Sequence, residues 1–274
     1  MNDYSDHIAI IGAGISGLAL GCFLKKSSIS CVIFERSSKV SEQGAGISIS
    51  PNGRKVLKDL EVDDQLLQQS GKPKNASFFS NGKKITTIPL EVLTTSRQSL
   101  YTILLEKYLS LGGKILFDYE VSGINIEDLN IAFTNKPSCK VLHIAACDGI
   151  KSFCRKNCLP SSVEPLYSGY SVWRAIVNKK QKNIETHLGP NYHIVTYPIS
   201  ESRTSFVAAI KTNNVYVESW KTQGTLASLK ADIPSGTEVI NSVLKDGDEL
   251  YKWGVYTRPN ITDLYSKNIT FLGD

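Results

Sequence analysis

The chain has 274 residues, 41% of them hydrophobic and 21% charged, which suits a folded globular protein and excludes a disordered tract, a collagen-like fibre or a miniature disulfide scaffold. Its 31 Lys and Arg against 26 Asp and Glu leave a formal charge of +5 with no basic stripe interleaved by aromatics, so nucleic acid is not an expected partner. No apolar run approaches a membrane span, the polar start has no signal-peptide pattern, and the six cysteines (Cys22, Cys31, Cys139, Cys147, Cys154, Cys158) form no CxxC pair; buried free thiols and a cytoplasmic location are expected.

In chain order, residues 7–11 are a short apolar run entering Gly12-Ala13-Gly14-Ile15-Ser16-Gly17. Leu18, Leu20, Cys22, Phe23 and Leu24 then follow at helical spacing, and the β-rich run 29–34 ends in Glu35. Strand, glycine turn, helix and strand in that order open a parallel doubly wound sheet. Residues 48–60 hold Pro51, Asn52 and Gly53 before a helix-like stretch, and runs at 76–79 and 84–88 flank Asn81-Gly82 as a hairpin. Residues 99–109 predict an amphipathic helix with Leu100, Ile103, Leu104, Tyr108 and Leu111 facing inward, stopped by Gly112-Gly113.

Short strands are predicted at 115–117, 123–126, 130–133 and 141–146, the last returning to the first sheet and running into Asp148-Gly149. Beyond Pro160 the β-rich segments 169–177, 192–198, 205–210 and 216–220 suggest a second, antiparallel or mixed sheet. Residues 226–233 and 237–244 read as short helices, and 269–272 as a buried strand delivering Gly273-Asp274. The expected division is a nucleotide-binding domain at 1–160 with a hairpin excursion around 72–96, a β-rich region at 161–264, and a returning strand at 265–274.

The glycine turn carries the chemistry. In GxGxxG, Gly12 permits a tight turn, Gly14 lets the backbone approach a pyrophosphate at the helix N-terminus, and Gly17 lets helix and sheet pack closely. Glu35 stands 18 residues after Gly17, where its carboxylate would accept hydrogen bonds from an adenosine ribose and repel a 2′-phosphate, so FAD or NAD is expected rather than NADP. Arg36 either flanks the adenine or is a solvated arginine. The four histidines are too widely spaced for a local metal motif, and neither HExxH nor GxSxG occurs.

Further segments resemble the single-component flavoprotein monooxygenases that hydroxylate aromatic rings, the group of salicylate, hydroxybenzoate and 6-hydroxynicotinate hydroxylases. The stretch from Gly44 through Gly46 to Pro51-Asn52-Gly53 is similar to their segment near the flavin, and Ser96-Arg97-Gln98-Ser99-Leu100 to an arginine that approaches cofactor phosphates or the ribityl chain. Asp148-Gly149-Ile150-Lys151-Ser152-Phe153-Cys154-Arg155 resembles their DGxxSxxR signature, set near the pyrophosphate and the reduced pyridine nucleotide. Gly169-Tyr170-Ser171-Val172-Trp173-Arg174 is like their GYxxWR strand, where Trp173 and Tyr170 read as core aromatics and Arg174 as their salt-bridged neighbour. Phe271-Leu272-Gly273-Asp274 resembles the opening of their second flavin motif, whose aspartate contacts ribityl hydroxyls. The chain departs from the pattern with Ala146-Cys147 where glycine-alanine is usual, with Thr257 where an acid precedes Arg258, and in stopping as that second motif begins.

The resemblance implies an α/β fold: a Rossmann-like FAD-binding domain of the glutathione-reductase-like type with an inserted, mainly β substrate-side domain. It implies FAD as cofactor, NADH or NADPH as transient reductant, and O2 and a small aromatic compound as substrates, with oxygen transfer through a C4a-hydroperoxyflavin. No residue is identified as the catalytic base; Tyr197 and His193 are candidates for the substrate side. A different reading of the same features is a catalytically silent dinucleotide-binding fragment, or a subunit needing a partner to complete the flavin site.

Overall fold

The computed structural model describes residues 3–39, 45–159, 164–212, 223–259 and 264–273. The chain divides into two compact units, one made of Met1–Ser41, Tyr101–Leu166 and Thr257–Asp274, the other of Glu42–Leu100 and Tyr167–Tyr256. These bounds differ from the expected division, because residues 42–71 and the hairpin join the β-rich unit.

In the first unit, the strands Tyr4–Ile11, Cys31–Phe34, Ile115–Leu116, Lys136–Ala146 and Ile269–Phe271 form a parallel sheet. Tyr4–Ile11 lies between Cys31–Phe34 and Lys136–Ala146, so the third, second, first, fourth and fifth strands of the chain's parallel series stand in that spatial order. Cys31–Phe34 is buried at every position, as a parallel strand covered on both faces must be. The helix Ile15–Lys26 follows the first strand, and its Gly17, Leu18, Gly21 and Cys22 are buried. The strands Val121–Asn125 and Asn130–Phe133 form an antiparallel meander continuing into the first half of Lys136–Ala146, where Ile131 and Phe133 pack with Phe34, Ile144 and Ile269.

In the second unit, an eight-stranded mixed sheet runs in the order Gln223–Gly224, Leu250–Thr257, Leu166–Val177, Thr204–Lys211, Tyr192–Pro198, Ile184–Gly189, Asn75–Ser80 and Lys83–Pro89. The expected hairpin is its last two strands, with Asn81 at φ 48° and Gly82 at φ 72° in the turn. Asn75–Ser80 pairs in parallel with Ile184–Gly189, which ties the hairpin to this sheet. One face is covered by the helices Leu226–Asp232 and Thr237–Val243, whose Leu229 and Ile240 pack on Trp173, Ile194 and Phe206. A separate two-stranded ribbon, Gly46–Ile49 with Leu93–Ser96, leads into the helix Pro51–Asp59.

Pro51, Asn52 and Gly53 lie inside that helix rather than before it: Pro51 occupies the first turn, and the Ser50 hydroxyl accepts the Gly53 amide at 3.3 Å. The predicted amphipathic helix is Arg97–Ser110, buried at Leu100, Ile103, Leu104 and Tyr108, whereas Leu111 is only half-buried. The strand expected at 216–220 lies outside the described residues. All six cysteines are free, five of them buried and Cys158 half-buried. Among the described residues, no helix is long and apolar enough to cross a membrane, and no cluster of His, Cys, Asp and Glu is placed to hold a metal.

Candidate dinucleotide site

The parallel sheet is in register at its carboxyl edge: Ile11 pairs with Phe34 on one side and with Ala146 on the other, and Ala146 pairs with Phe271. The next residues are therefore delivered side by side, namely Gly12, Glu35, Cys147-Asp148 and Leu272-Gly273. The chain leaves the first strand toward one side of the sheet and later returns on the other, which makes the gap between Tyr4–Ile11 and Lys136–Ala146 the point where the strand order reverses. Ligands of open α/β sheets bind at that point, beyond the carboxyl ends of the strands.

The three glycines of the turn answer to three different constraints. Gly12 has φ +103°, and a Cβ there would stand 2.5 Å from the Cys147 carbonyl oxygen. A Cβ on Gly17 would stand 2.0 Å from the Gly12 carbonyl oxygen, so the first turn of the helix lies directly on the loop. Around Gly14, by contrast, nothing lies within 4 Å of an added Cβ. Gly14 is the N-cap, no side chain caps the helix, and no acid sits in its first turn. The N-terminus, with its unpaired amides and partial positive charge, is left open to an anion.

Glu35 faces this turn. Its Oε2 accepts the Ala13 amide at 2.8 Å and its Oε1 the Ser37 amide at 2.9 Å, which fixes the carboxylate while leaving lone pairs on both oxygens for a ribose diol. Arg36 is exposed. The backbone turn, open helix end and fixed carboxylate fit the pyrophosphate and adenosine ribose of FAD.

Asp148 has a local task. Its Oδ1 accepts the Ser152 hydroxyl at 2.5 Å and its Oδ2 the Cys154 amide at 3.0 Å, while Ser152 caps the helix Phe153–Cys158 by accepting the Arg155 amide at 2.9 Å. Gly149 takes φ +80° to make the bend. Cys147, buried and next to the Asp148 carboxylate, has its thiol pushed up to about 12, burial being the larger cause. Gly273 has φ +80°, and a Cβ there would stand 2.6 Å from Ser16 Oγ, so the fifth strand returns its glycine to the glycine turn. Asp274 lies outside the described residues.

Gly46 and Arg97 belong to the second unit, where the Arg97 amide donates to the Ala45 carbonyl at 2.7 Å beside the Gly46–Ser96 pair. A Cβ on Gly46 would stand 2.5 Å from Ser205 Oγ and 2.6 Å from the Tyr197 hydroxyl, so packing requires this glycine. Tyr197 is 9% exposed and burial pushes its phenol up, whereas His193 is exposed. The GYxxWR strand corrects two expectations: Trp173 is a core residue, but Tyr170 is 42% exposed, and Arg174 has no ion pair to a described residue, its guanidinium standing 5.2 Å from the centre of the Trp253 ring. Trp253 and Ser205 escaped the sequence reading because strand alternation assigns a face only once register is known.

Fold and site thus define an α/β dinucleotide-binding protein of the doubly wound class. The FAD binding domain family matches residues 6–234, and the chain belongs to that family, among the single-component FAD-dependent aromatic-ring hydroxylases. It is 26% identical to 3-amino-4-hydroxybenzoate 2-monooxygenase of Streptomyces cremeus, over 100% of this chain and 73% of that protein. It is 27% identical to 6-hydroxynicotinate 3-monooxygenase of Pseudomonas fluorescens, over 63% of this chain and 48% of that protein. In fold it is similar to Klebsiella pneumoniae HpxO complexed with FAD and uric acid, with a TM-score of 0.84 and 21% identity over 100% of this chain and 74% of that one. Enzymes of this class are FAD-dependent monooxygenases that use NAD(P)H and O2 on small aromatic substrates.

Proposed function

We propose that this chain binds FAD through Gly12, Ala13, Gly14, Ile15, Ser16 and Gly17 and through Glu35, and oxygenates a small aromatic acid. The observation that supports the assignment is the in-register carboxyl edge, which sets Gly12, Glu35, Asp148 and Gly273 beyond four adjacent strands at the reversal of strand order. When bound, FAD supplies hydride acceptance from reduced nicotinamide and activation of O2 for transfer of one oxygen to the ring.

The residues do the binding and orienting. The open amides after Gly14 hold the pyrophosphate, Glu35 holds the ribose hydroxyls, and Arg36 flanks the adenine. Asp148 acts as a positioning residue that holds the bend at Gly149, and Gly273 brings the fifth strand back against Ser16 of the glycine turn. Tyr197 serves the aromatic substrate, a role favoured by its buried hydroxyl. An aromatic carboxylate is the substrate class that relatives acting on 3-amino-4-hydroxybenzoate and 6-hydroxynicotinate suggest.

The test is reconstitution with FAD, desalting, and a visible spectrum, followed by NADH and NADPH oxidation with and without aromatic acids. Retained flavin bands and oxidation stimulated by an aromatic acid are expected. A colourless protein after desalting, or a flavinated one that no aromatic acid stimulates, overturns the proposal.

A further inference from the structure

The bend at residues 148–150 is held from two directions. From within, Asp148 takes the Ser152 hydroxyl and the Cys154 amide, and the Ser152 amide donates to the Gly149 carbonyl at 2.9 Å. From outside, Arg258 reaches it from 108 positions further along the chain. Its Nε donates to the Ile150 carbonyl oxygen at 2.7 Å, and its Nη2 donates to the same oxygen. Arg258 belongs to the same compact unit as the bend. An ionised donor makes a stronger hydrogen bond than a neutral one, and a guanidinium can aim two N–H groups from one rigid plane.

The surroundings favour this hold. Arg155, 9% exposed, stands 5.9 Å from the centre of the Phe271 ring, and its Nε has no hydrogen-bond partner among the described residues. Burial, and after it the charge of Arg155, holds Arg258 below the usual arginine range, against the opposing carboxylates of Glu164 and Asp148. A partly buried guanidinium beside a second cation gains from a carbonyl dipole aimed at it.

Sheet order decides what the bend serves. Glu35, Gly12, Asp148 and Gly273 follow four adjacent strands, and adjacent strands lie about 4.8 Å apart. With adenosine at Glu35 and the pyrophosphate at the open helix end, the rest of the dinucleotide runs toward the bend and Gly273. Adenosine diphosphate stops short of the bend, whereas FAD continues over it.

We infer that Arg258 is a positioning residue for the flavin half of the cofactor: by holding the Ile150 carbonyl it fixes the bend over which that half lies. The inference rests on the proposed seating of FAD along the carboxyl edge, and Arg258 acts through the backbone it holds.

The test compares FAD with ADP on the cofactor-free chain, by flavin fluorescence quenching and by calorimetry, with thermal denaturation to show that each variant is folded. Arg258→Met is expected to weaken FAD by about tenfold or more, the scale of one charge-assisted hydrogen bond, and to leave ADP within about twofold. Arg258→Lys, which keeps an ionised donor, is expected to return FAD binding to within about threefold of the unsubstituted chain. An arginine that merely supports the fold would weaken both ligands together, so a parallel loss overturns the inference. Undiminished FAD binding in Arg258→Met overturns it too, as does an Arg258→Lys no better than Arg258→Met. Should Arg258→Met fail to fold, Arg258→Gln, a shorter neutral donor, carries the same comparison with the same outcomes. Hydrogen exchange needs no variant: the Ser152 and Cys154 amides of the unsubstituted, cofactor-free chain are expected to be protected, and exchange at the rate of an unstructured peptide overturns the inference. An unsubstituted chain that binds FAD but not ADP overturns the seating on which it rests. A chain that shows the expected split but no NAD(P)H oxidation stimulated by an aromatic acid leaves the role of Arg258 standing and overturns the oxygenase reading instead.

Discussion

Gly14, the N-cap, and Gly17, in the helix's first turn, stand three positions apart, yet they answer to different demands, and substitution separates them. An Ala at Gly17 places its methyl 2.0 Å from the Gly12 carbonyl oxygen, so backbone must move. Overpacking of this kind costs about 1–3 kcal/mol, and Gly17→Ala is expected to lower the Tm as well as release FAD. Gly14→Ala meets nothing within 4 Å and keeps the Tm of the unliganded protein, while the methyl intrudes where the pyrophosphate is proposed to lie and weakens FAD retention. Thermal denaturation with and without FAD checks the pair; equal effects on the unliganded protein would refute this division of labour.

A second residue-scale prediction concerns Asp63, 3% exposed and bound by Arg54 through Nε to Oδ1 at 3.0 Å and Nη2 to Oδ2 at 2.6 Å. Hydrogen bonding to Arg54 is the larger cause that holds the Asp63 carboxyl below its usual value, against burial. Because the folded-state pKa is depressed, the pair's stabilisation is fully present above the unfolded carboxylate pKa of about 3.9 and is lost as pH falls through the folded value. Asp63→Asn is expected to cost about 3 kcal/mol at pH 7, with the difference from the unsubstituted chain shrinking below about pH 4. Urea unfolding at pH 7 and pH 3.5 measures both.

Among elements, the helix Leu226–Asp232 is fastened to the sheet by its last residue. Asp232 Oδ2 accepts Trp173 Nε1–H at 2.8 Å and Lys252 Nζ–H at 2.7 Å, and Lys252 also lies 5.2 Å from the Trp173 ring centre. Removing the carboxylate leaves a core indole N–H without its acceptor and takes one partner from Lys252, whose side chain is 10% exposed. Asp232→Ala is expected to cost about 1–3 kcal/mol, read as a lower urea midpoint with a red-shifted Trp173 emission. Legibility in the sequence follows the same logic of local against distant contacts. The glycine turn, the helix Arg97–Ser110 and the Asn81-Gly82 hairpin were readable because their signals lie within a few neighbouring residues. Ile184–Gly189 was not, since none of its positions is fully buried and its parallel partner Asn75–Ser80 lies more than a hundred residues away in the chain. The same holds for the site: Glu35 announces itself by spacing from Gly17, whereas the surroundings of Arg174 appear only when three strands and Trp253 are laid together.

At the scale of the molecule, the free cysteines give a global probe of folding. Burial pushes the thiols of Cys22, Cys139 and Cys158 up to about 11 and that of Cys147 up to about 12, so few are thiolates at neutral pH. Native protein is expected to react with Ellman's reagent at least tenfold more slowly than denatured protein, in which all six respond. A fast stoichiometric burst from the native chain at pH 7.5 would contradict the buried, protonated thiols described above.

The parallel sheet also bears on biosynthesis. Ile269 is fully buried and Phe271 6% exposed beside a strand, Lys136–Ala146, that leaves the ribosome more than a hundred residues earlier. During translation, the flank of Ile144–Ala146 therefore waits as an unpaired edge, a template for wrong partners until its own arrives. Slow elongation through the intervening segment would lengthen that exposure, which makes the soluble yield of this chain sensitive to codon usage and to chaperone supply.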